Sequence, residues 1–227
     1  MRRRLLANLL ACRSAHPSGT SLLGFALTLA LPLLVEAQYR YPRHNVHLGL
    51  GAGVPQADLR PLFDPKVGFR FGYGYRFQRF FQADLGLDTV VGAAGVRDFL
   101  QTQLGVQRIR DFQYFLPLGG RAIIPLAGDR LLIHAGGGGA YMRYAERISQ
   151  PSDYIRLACP VCGARSGWGY YSQVGFSVAM DRFQRFRLGV VSRVYRGYTN
   201  GEAIGAVPGV RTRDHWVNTM AEFGVAF

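Results

Sequence analysis

The chain has 227 residues, 48% of them hydrophobic, and a formal net charge of +13. No apolar run reaches the about 18 residues that a membrane-spanning helix needs, which argues against a helical membrane protein. The basic balance raises the question of nucleic acid, but the arginines are dispersed and no RNP-type, helix-turn-helix or zinc-finger pattern accompanies them, so no nucleic-acid partner is predicted.

The first 37 residues have the parts of an export signal. A basic start at residues 2–4 and Arg13 comes before an apolar stretch of 14 residues at 21–34. Small side chains at Val35 and Ala37 then predict cleavage before residue 38. We therefore expect a signal peptide at 1–37.

Two alternatives to a cleaved signal are less favourable. A short transmembrane anchor would need a longer apolar stretch than 21–34 provides. A lipoprotein signal ending at Cys12 would need the apolar stretch before that cysteine, whereas most of it follows. We expect a short periplasmic segment at 38–44 and one further domain at 45–227.

Residues 45–227 divide into eight segments in which apolar residues recur with the period of a β-strand. In the second, aromatic residues occupy one face and glycine and arginine the other. Six large side chains from one strand would crowd a narrow lumen, so the aromatic face is predicted to point to lipid. Pro117 should distort the fourth strand, because proline cannot donate to a paired ladder. The predicted strands are 45–54, 66–77, 80–91, 112–124, 131–144, 168–180, 186–197 and 215–227.

The links between these segments alternate in length. Those after the second, fourth and sixth strands are short, and the other four are long. Short periplasmic turns and long extracellular loops are typical of outer-membrane barrels. The sequence therefore predicts an all-β fold, an eight-stranded antiparallel up-and-down transmembrane β-barrel with both termini in the periplasm.

The last strand carries the most specific pattern. Alternating apolar residues lead to an aromatic C-terminal residue, with Phe223, Val225 and Phe227 at the end. This resembles the signal by which bacterial outer-membrane proteins reach the barrel-assembly machinery. Over residues 45–227 the chain is similar to the small OmpA- and OmpX-like barrels. The resemblance implies an outer-membrane monomer without a cofactor, in contact with lipid and lipopolysaccharide.

The lumen of an eight-stranded barrel is filled by side chains, and charges buried there must be paired. Asp84 and Arg121 lie at similar heights on neighbouring predicted strands. Arg70 faces Asp84 and Asp88, and a further pair is expected on the last two strands. We predict lumenal ion pairs among Arg70, Asp84, Asp88, Arg121, Arg193 and Glu222.

Cys159 and Cys162 are the two cysteines that remain after signal cleavage. In an oxidising envelope, a CxxC pair can close a small disulfide loop. A zinc site would need two more ligands nearby, and the sequence has no second CxxC and no HxxxH. We expect a disulfide, with unpaired thiols as the alternative.

The function that these observations favour is structural, surface-interacting or adhesive, with the lumen filled by polar and charged side chains. A narrow channel or small-solute binder is an alternative, because inward-facing glycines could leave space. A lipopolysaccharide-modifying acyl hydrolase or acyltransferase is another. That chemistry needs a nucleophile and a base near the outer leaflet. The inward-facing His134 and nearby Ser177 are expected at the opposite end, so an enzyme is disfavoured.

If Cys159 and Cys162 are extracellular and disulfide-bonded, thiol labelling of intact cells should fail before reduction and succeed after it. Labelling only from the periplasmic side would invert the predicted topology. Labelling of intact cells without reduction would show unpaired thiols.

Overall fold

The computed structural model describes residues 41–61, 63–92, 99–102, 105–148, 163–203 and 209–227. Within the compact unit Tyr41–Phe227, these residues are almost entirely β-strand. None of the helices in the described ranges is long and apolar enough to cross a membrane. The predicted signal peptide at 1–37 and the Cys159–Cys162 pair lie outside the described residues.

Nine strands and one 3-10 turn, Ala57–Leu59, make up the described secondary structure. The strands are β1 His44–Gln56, β2 Lys66–Gln78, β3 Phe81–Val91, β4 Phe99–Thr102, β5 Gly105–Leu126, β6 Leu131–Ile148, β7 Gly163–Ala179, β8 Phe186–Gly201 and β9 Thr212–Ala226.

Eight of the described strands form a closed antiparallel barrel. Each of the eight pairs with the strands before and after it in the chain, except that β4 is skipped and β3 pairs directly with β5. The pairing of β1 with β9 closes the barrel. Two ends of the barrel can be told apart. At the short-turn end, links of a few residues follow β2, β5 and β7, whereas the long-loop end carries the links after β1, β3, β6 and β8. The predicted up-and-down barrel is confirmed.

The predicted strand bounds are too short at the long-loop end. The fourth predicted strand, 112–124, is β5 and begins at Gly105, and the link before it contains β4, which forms a hairpin with β5. The sixth predicted strand is β7 and begins at Gly163 instead of residue 168. These extensions lack the apolar alternation by which the strands were recognised, because they project beyond the apolar belt.

Pro117 interrupts pairing on one side of β5 only. Toward β6 the register is continuous, with Pro117 opposite Ala140. Toward β3 it runs from Leu85–Leu118 to Asp88–Phe115, with no pairs between and no change in register. The expected distortion is therefore a gap in the ladder without an inserted residue.

The two faces of the wall are reversed relative to a soluble protein. Along β2, Val67, Phe69, Phe71, Tyr73, Tyr75 and Phe77 are exposed, while Arg70 and Arg76 are buried. The same outward apolar belt continues on the other strands, with Leu118, Trp168 and Phe176 among its exposed residues. Apolar residues outside and buried charges inside are the arrangement of a transmembrane barrel, so the predicted orientation of the faces is confirmed.

Aromatic side chains fill the lumen toward the long-loop end. Phe63, from the link after β1, packs on Trp216 and Tyr144 with ring centroids 5.7 and 6.2 Å apart. Phe115 contacts Trp216 and stacks on Tyr195 at 4.6 Å. Leu59, Phe63, Phe115, Tyr144, Tyr195 and Trp216, which we call the aromatic cap, are all buried. The cap closes one end of the interior and isolates the charges beneath it from water.

The closed ladder predicts resistance to detergent. Each strand of the eight-stranded wall is hydrogen-bonded to a neighbour on both sides, so SDS without heat should leave the fold intact. The purified protein should have a β-type circular-dichroism spectrum and migrate faster on SDS gels unheated than boiled. A helical spectrum, or identical migration in both conditions, would contradict the fold.

Candidate functional site in the barrel lumen

Asp88 on β3 is a fully buried carboxylate that four hydrogen bonds hold in the lumen. Its carboxylate accepts hydrogen bonds from Arg70 Nε and Nη2, both at 2.8 Å. It also accepts bonds from Arg193 Nη1 at 3.0 Å and from the Tyr195 hydroxyl at 2.7 Å. Residues from β2, β3 and β8 thus meet on one fully buried carboxylate. Four such bonds compensate for the hydration that it loses.

Glu222 on β9 completes this cluster through Arg70. Arg70 Nη1 donates to Glu222 Oε1 at 2.7 Å, so one guanidinium joins two carboxylates across the lumen. Because Arg193 and Glu222 lie on adjacent strands, the sequence suggests an ion pair between them. In the structure Arg193 binds Asp88 and Glu222 binds Arg70. The register explains this, because Arg193 lies opposite Asn218, whereas Glu222 lies opposite Gly189, four residues along β8.

Asp84 and Arg121 meet closer to the short-turn end. Arg121 Nε donates to Asp84 Oδ2 at 2.5 Å, across neighbouring strands β5 and β3. Arg70, which the sequence placed opposite both Asp84 and Asp88, binds only Asp88 of these two. Gln173 donates to Asp84 Oδ2 at 3.2 Å and accepts from Arg193 Nε at 2.8 Å. This glutamine therefore links the Asp84 pair to the Asp88 cluster.

Several members of this network were not identified from the sequence. Tyr195 lies two residues from Arg193, so strand parity places both inside, but alternation gives no distance across the lumen. Gln173 is inward on β7, and a neutral side chain gives no charge signal. The roles of Tyr195 and Gln173 can be recognised only in the folded barrel, where strands that are not neighbours face each other across the lumen.

A cavity of about 50 Å³ lies below these clusters, near the short-turn end. His47, Arg121, His134, Ser177 and Arg187 contribute to its lining. Within the described residues His134 and Ser177 both line the cavity, and no hydrogen bond joins them. No group of three or more potential ligands for a metal occurs in the described part of the chain.

Glycines make space for the cavity's histidines. A Cβ on Gly72 of β2 would collide with the His47 ring. A Cβ on Gly175 of β7 would lie 2.7 Å from His134 Nε2. Because a side chain at either position would displace an imidazole, these glycines set how closely each ring approaches the wall.

The residues of the proposed assembly signal line the outside of the last strand. Phe223 and Phe227 are exposed, and Val225 is partly exposed. Phe227 stacks on His44 with ring centroids 5.5 Å apart, and the backbone groups of these two residues exchange hydrogen bonds of 2.8 Å. The C-terminus is therefore fixed to the start of β1, where the barrel closes.

The sequence matches no family model and no curated protein. Solved structures do resemble it. Neisserial surface protein A aligns with 81% of this chain and 97% of its own, at 11% identity and a TM-score of 0.51. The chain has the fold of the small outer-membrane β-barrels. At this identity the likeness shows the fold alone.

Two further structures align with lower TM-scores. The alignment with the outer-membrane protein OprG from Pseudomonas aeruginosa covers 82% of this chain and 97% of the OprG chain, at 14% identity and a TM-score of 0.45. The attachment invasion locus protein Ail of Yersinia pestis, in complex with the heparin analogue sucrose octasulfate, covers 82% and 99%, at 10% identity and 0.46.

The Asp84–Arg121 contact predicts energetic coupling between the two residues. Removing one partner leaves the other charge buried and alone, which costs on the order of 3–5 kcal/mol. Asp84→Ala and Arg121→Ala should each lower the free energy of unfolding in urea. The double variant should lose less than the sum of the two.

The ion pair between Arg79 and Asp129 provides a matched control. It links two short turns at 3.2 Å, but its side chains are partly exposed. The same double-mutant cycle there should give a coupling of about 0–1 kcal/mol, because water screens the charges. Additive losses at Asp84 and Arg121 would show that their contact does not contribute to stability.

Proposed function

We propose that this chain is an outer-membrane barrel with a closed lumen, which acts through the surface that its long loops present to the outside of the cell. In this proposal the barrel is an anchor, and the role is structural, surface-interacting or adhesive. The observation that carries the proposal is the Asp88 cluster, which crosses the lumen and is inaccessible to water.

The cluster blocks conduction because its side chains are held from several directions. Asp88 is fixed by three side chains on two other strands, and Arg70 continues the connection to Glu222 on β9. Opening a path would separate buried opposite charges, which is strongly unfavourable. The aromatic cap above the cluster adds a second, apolar barrier.

Membrane placement and orientation follow the same proposal. The exposed apolar belt favours lipid, and the predicted signal at 1–37 favours export to the envelope. Short turns and both chain ends would then face the periplasm, with the long loops outside. The exposed Phe223, Val225 and Phe227 fit recognition by the barrel-assembly machinery. The closed ladder of the eight-stranded wall leaves no strand edge there for a second copy, which favours a monomer.

A conductance measurement tests the closed lumen. The purified protein, inserted into planar lipid bilayers, should give no stable unitary current, because no continuous water path passes the Asp88 cluster. A porin inserted under the same conditions provides the positive control. Reproducible unitary currents from the wild type would favour the channel alternative. Release of fatty acid from labelled lipopolysaccharide by the same preparation would favour the enzyme alternative.

A further inference from the structure

We infer that the cavity near the short-turn end of the lumen is a binding site for a small tetrahedral oxyanion of the phosphate or sulfate type. The inference concerns the interior and does not depend on the surface role proposed above. It rests on the charge balance around the cavity, on an unpartnered nitrogen in each of two guanidinium groups and on the size of the space.

Arg187 on β8 is a buried cation that no described carboxylate contacts. Its Nε donates to the Gln184 carbonyl at 3.2 Å, and its Nη1 donates to Asn45 Oδ1 at 2.8 Å. Its Nη2 is buried and has no hydrogen-bond partner among the described residues. An arginine in this situation has both a free donor and an uncompensated charge, and an anion would satisfy both.

The hydrogen-bonded route from Arg187 to a carboxylate runs through two amides. Asn45 Nδ2 donates to Gln82 Oε1 at 3.1 Å, and Gln82 Nε2 donates to Asp84 Oδ1 at 2.7 Å. The chain from Arg187 to Asp84 therefore uses every amide in the same direction. It orients Arg187 without bringing a carboxylate to it.

The hydrogen-bonded network of the lumen carries one more positive charge than negative charges. Arg70, Arg121, Arg187 and Arg193 supply four positive charges, and Asp84, Asp88 and Glu222 supply three negative ones, which leaves one positive charge. The other three arginines each contact a carboxylate, so the excess lies at Arg187. Arg76 and Arg121 add repulsion there, and Asp181, which forms no ion pair with Arg187 in the described part of the chain, adds a smaller attraction.

A second free donor lines the same cavity. Arg121 Nε donates to Asp84, but the buried Arg121 Nη2 has no partner in the part of the chain that the structure describes. Arg121 and Arg187 both contribute to the wall of the cavity, with Ser177 and the two histidines beside them. Guanidinium groups present planar pairs of donors that suit the oxygens of phosphate and sulfate.

The space is sufficient for more than one water molecule. At about 50 Å³, the cavity is several times the roughly 10–15 Å³ that a single water needs. Glu222 is the one carboxylate in the lining, and it is already bound to Arg70. The charge that faces the space is therefore positive, and the site selects an anion over a cation or a neutral solute.

Thermal unfolding of the full barrel in detergent tests this site, with inorganic phosphate as the probe and chloride at matched ionic strength as the reference. A ligand that binds only the folded state raises Tm. With phosphate about 100-fold above its Kd, the wild type should gain roughly 5–10 °C over chloride. Sulfate should act in the same way if the site recognises the tetrahedral shape.

Arg187→Gln should remove the phosphate-dependent gain, and Arg185→Gln is the matched control. Arg185 is an exposed arginine two residues away, and its guanidinium lies over the Phe183 ring. Its loss should leave the gain intact. Arg187→Lys keeps the charge but loses the planar pair of donors, so an intermediate gain is expected. This variant also preserves the test if Arg187→Gln does not fold.

Calorimetric titration of the wild type with phosphate should give about one site per barrel, and Arg187→Gln should give none. Equal Tm values in phosphate and chloride for the wild type would overturn the inference. A phosphate gain that persists unchanged in Arg187→Gln would also overturn it, because the ion would then bind the basic surface instead.

Discussion

The structure depends on charge compensation in a space that water cannot reach. Eight strands enclose a lumen only wide enough for side chains, and an ion in such a place must find its partners within the wall. Asp88 meets this constraint with four hydrogen bonds from three side chains. Those bonds tie β2, β3 and β8 together through the interior, beside the ladder that joins them around the wall.

The same constraint explains how the interior is layered. The aromatic cap lies toward the long-loop end, between the Asp88 cluster and the long loops. The Asp88 cluster lies beneath it, followed by the Asp84–Arg121 pair. The carboxylates of Asp84, Asp88 and Glu222 each contact an arginine, whereas two amides stand between the Arg187 guanidinium and the Asp84 carboxylate. The cavity lies beside Arg187.

The sequence determines which side of the wall a residue faces far better than it determines contacts across the lumen. Along β2 the alternation of aromatic residues with glycine and arginine predicts every face correctly, because the side-chain period of a strand is two. The same parity places Arg70, Asp84 and Arg121 inside. It cannot show that Arg193 reaches Asp88 instead of Glu222, since that choice depends on register and on the distance between opposite walls.

The limits of prediction at the strand ends have a related cause. Lipid imposes alternation only where it contacts the wall, so the start of β5 and the start of β7 carry no apolar pattern to mark them. The roles of neutral residues are also hard to predict. Asn45, Gln82 and Gln173 link charged groups, yet nothing in their local sequence indicates these contacts. Two parts of such a barrel can therefore carry its function, the loops beyond the apolar belt and the charged side chains of the lumen. The second can be derived from the folded chain, because a buried arginine without a carboxylate contact favours a ligand of opposite charge.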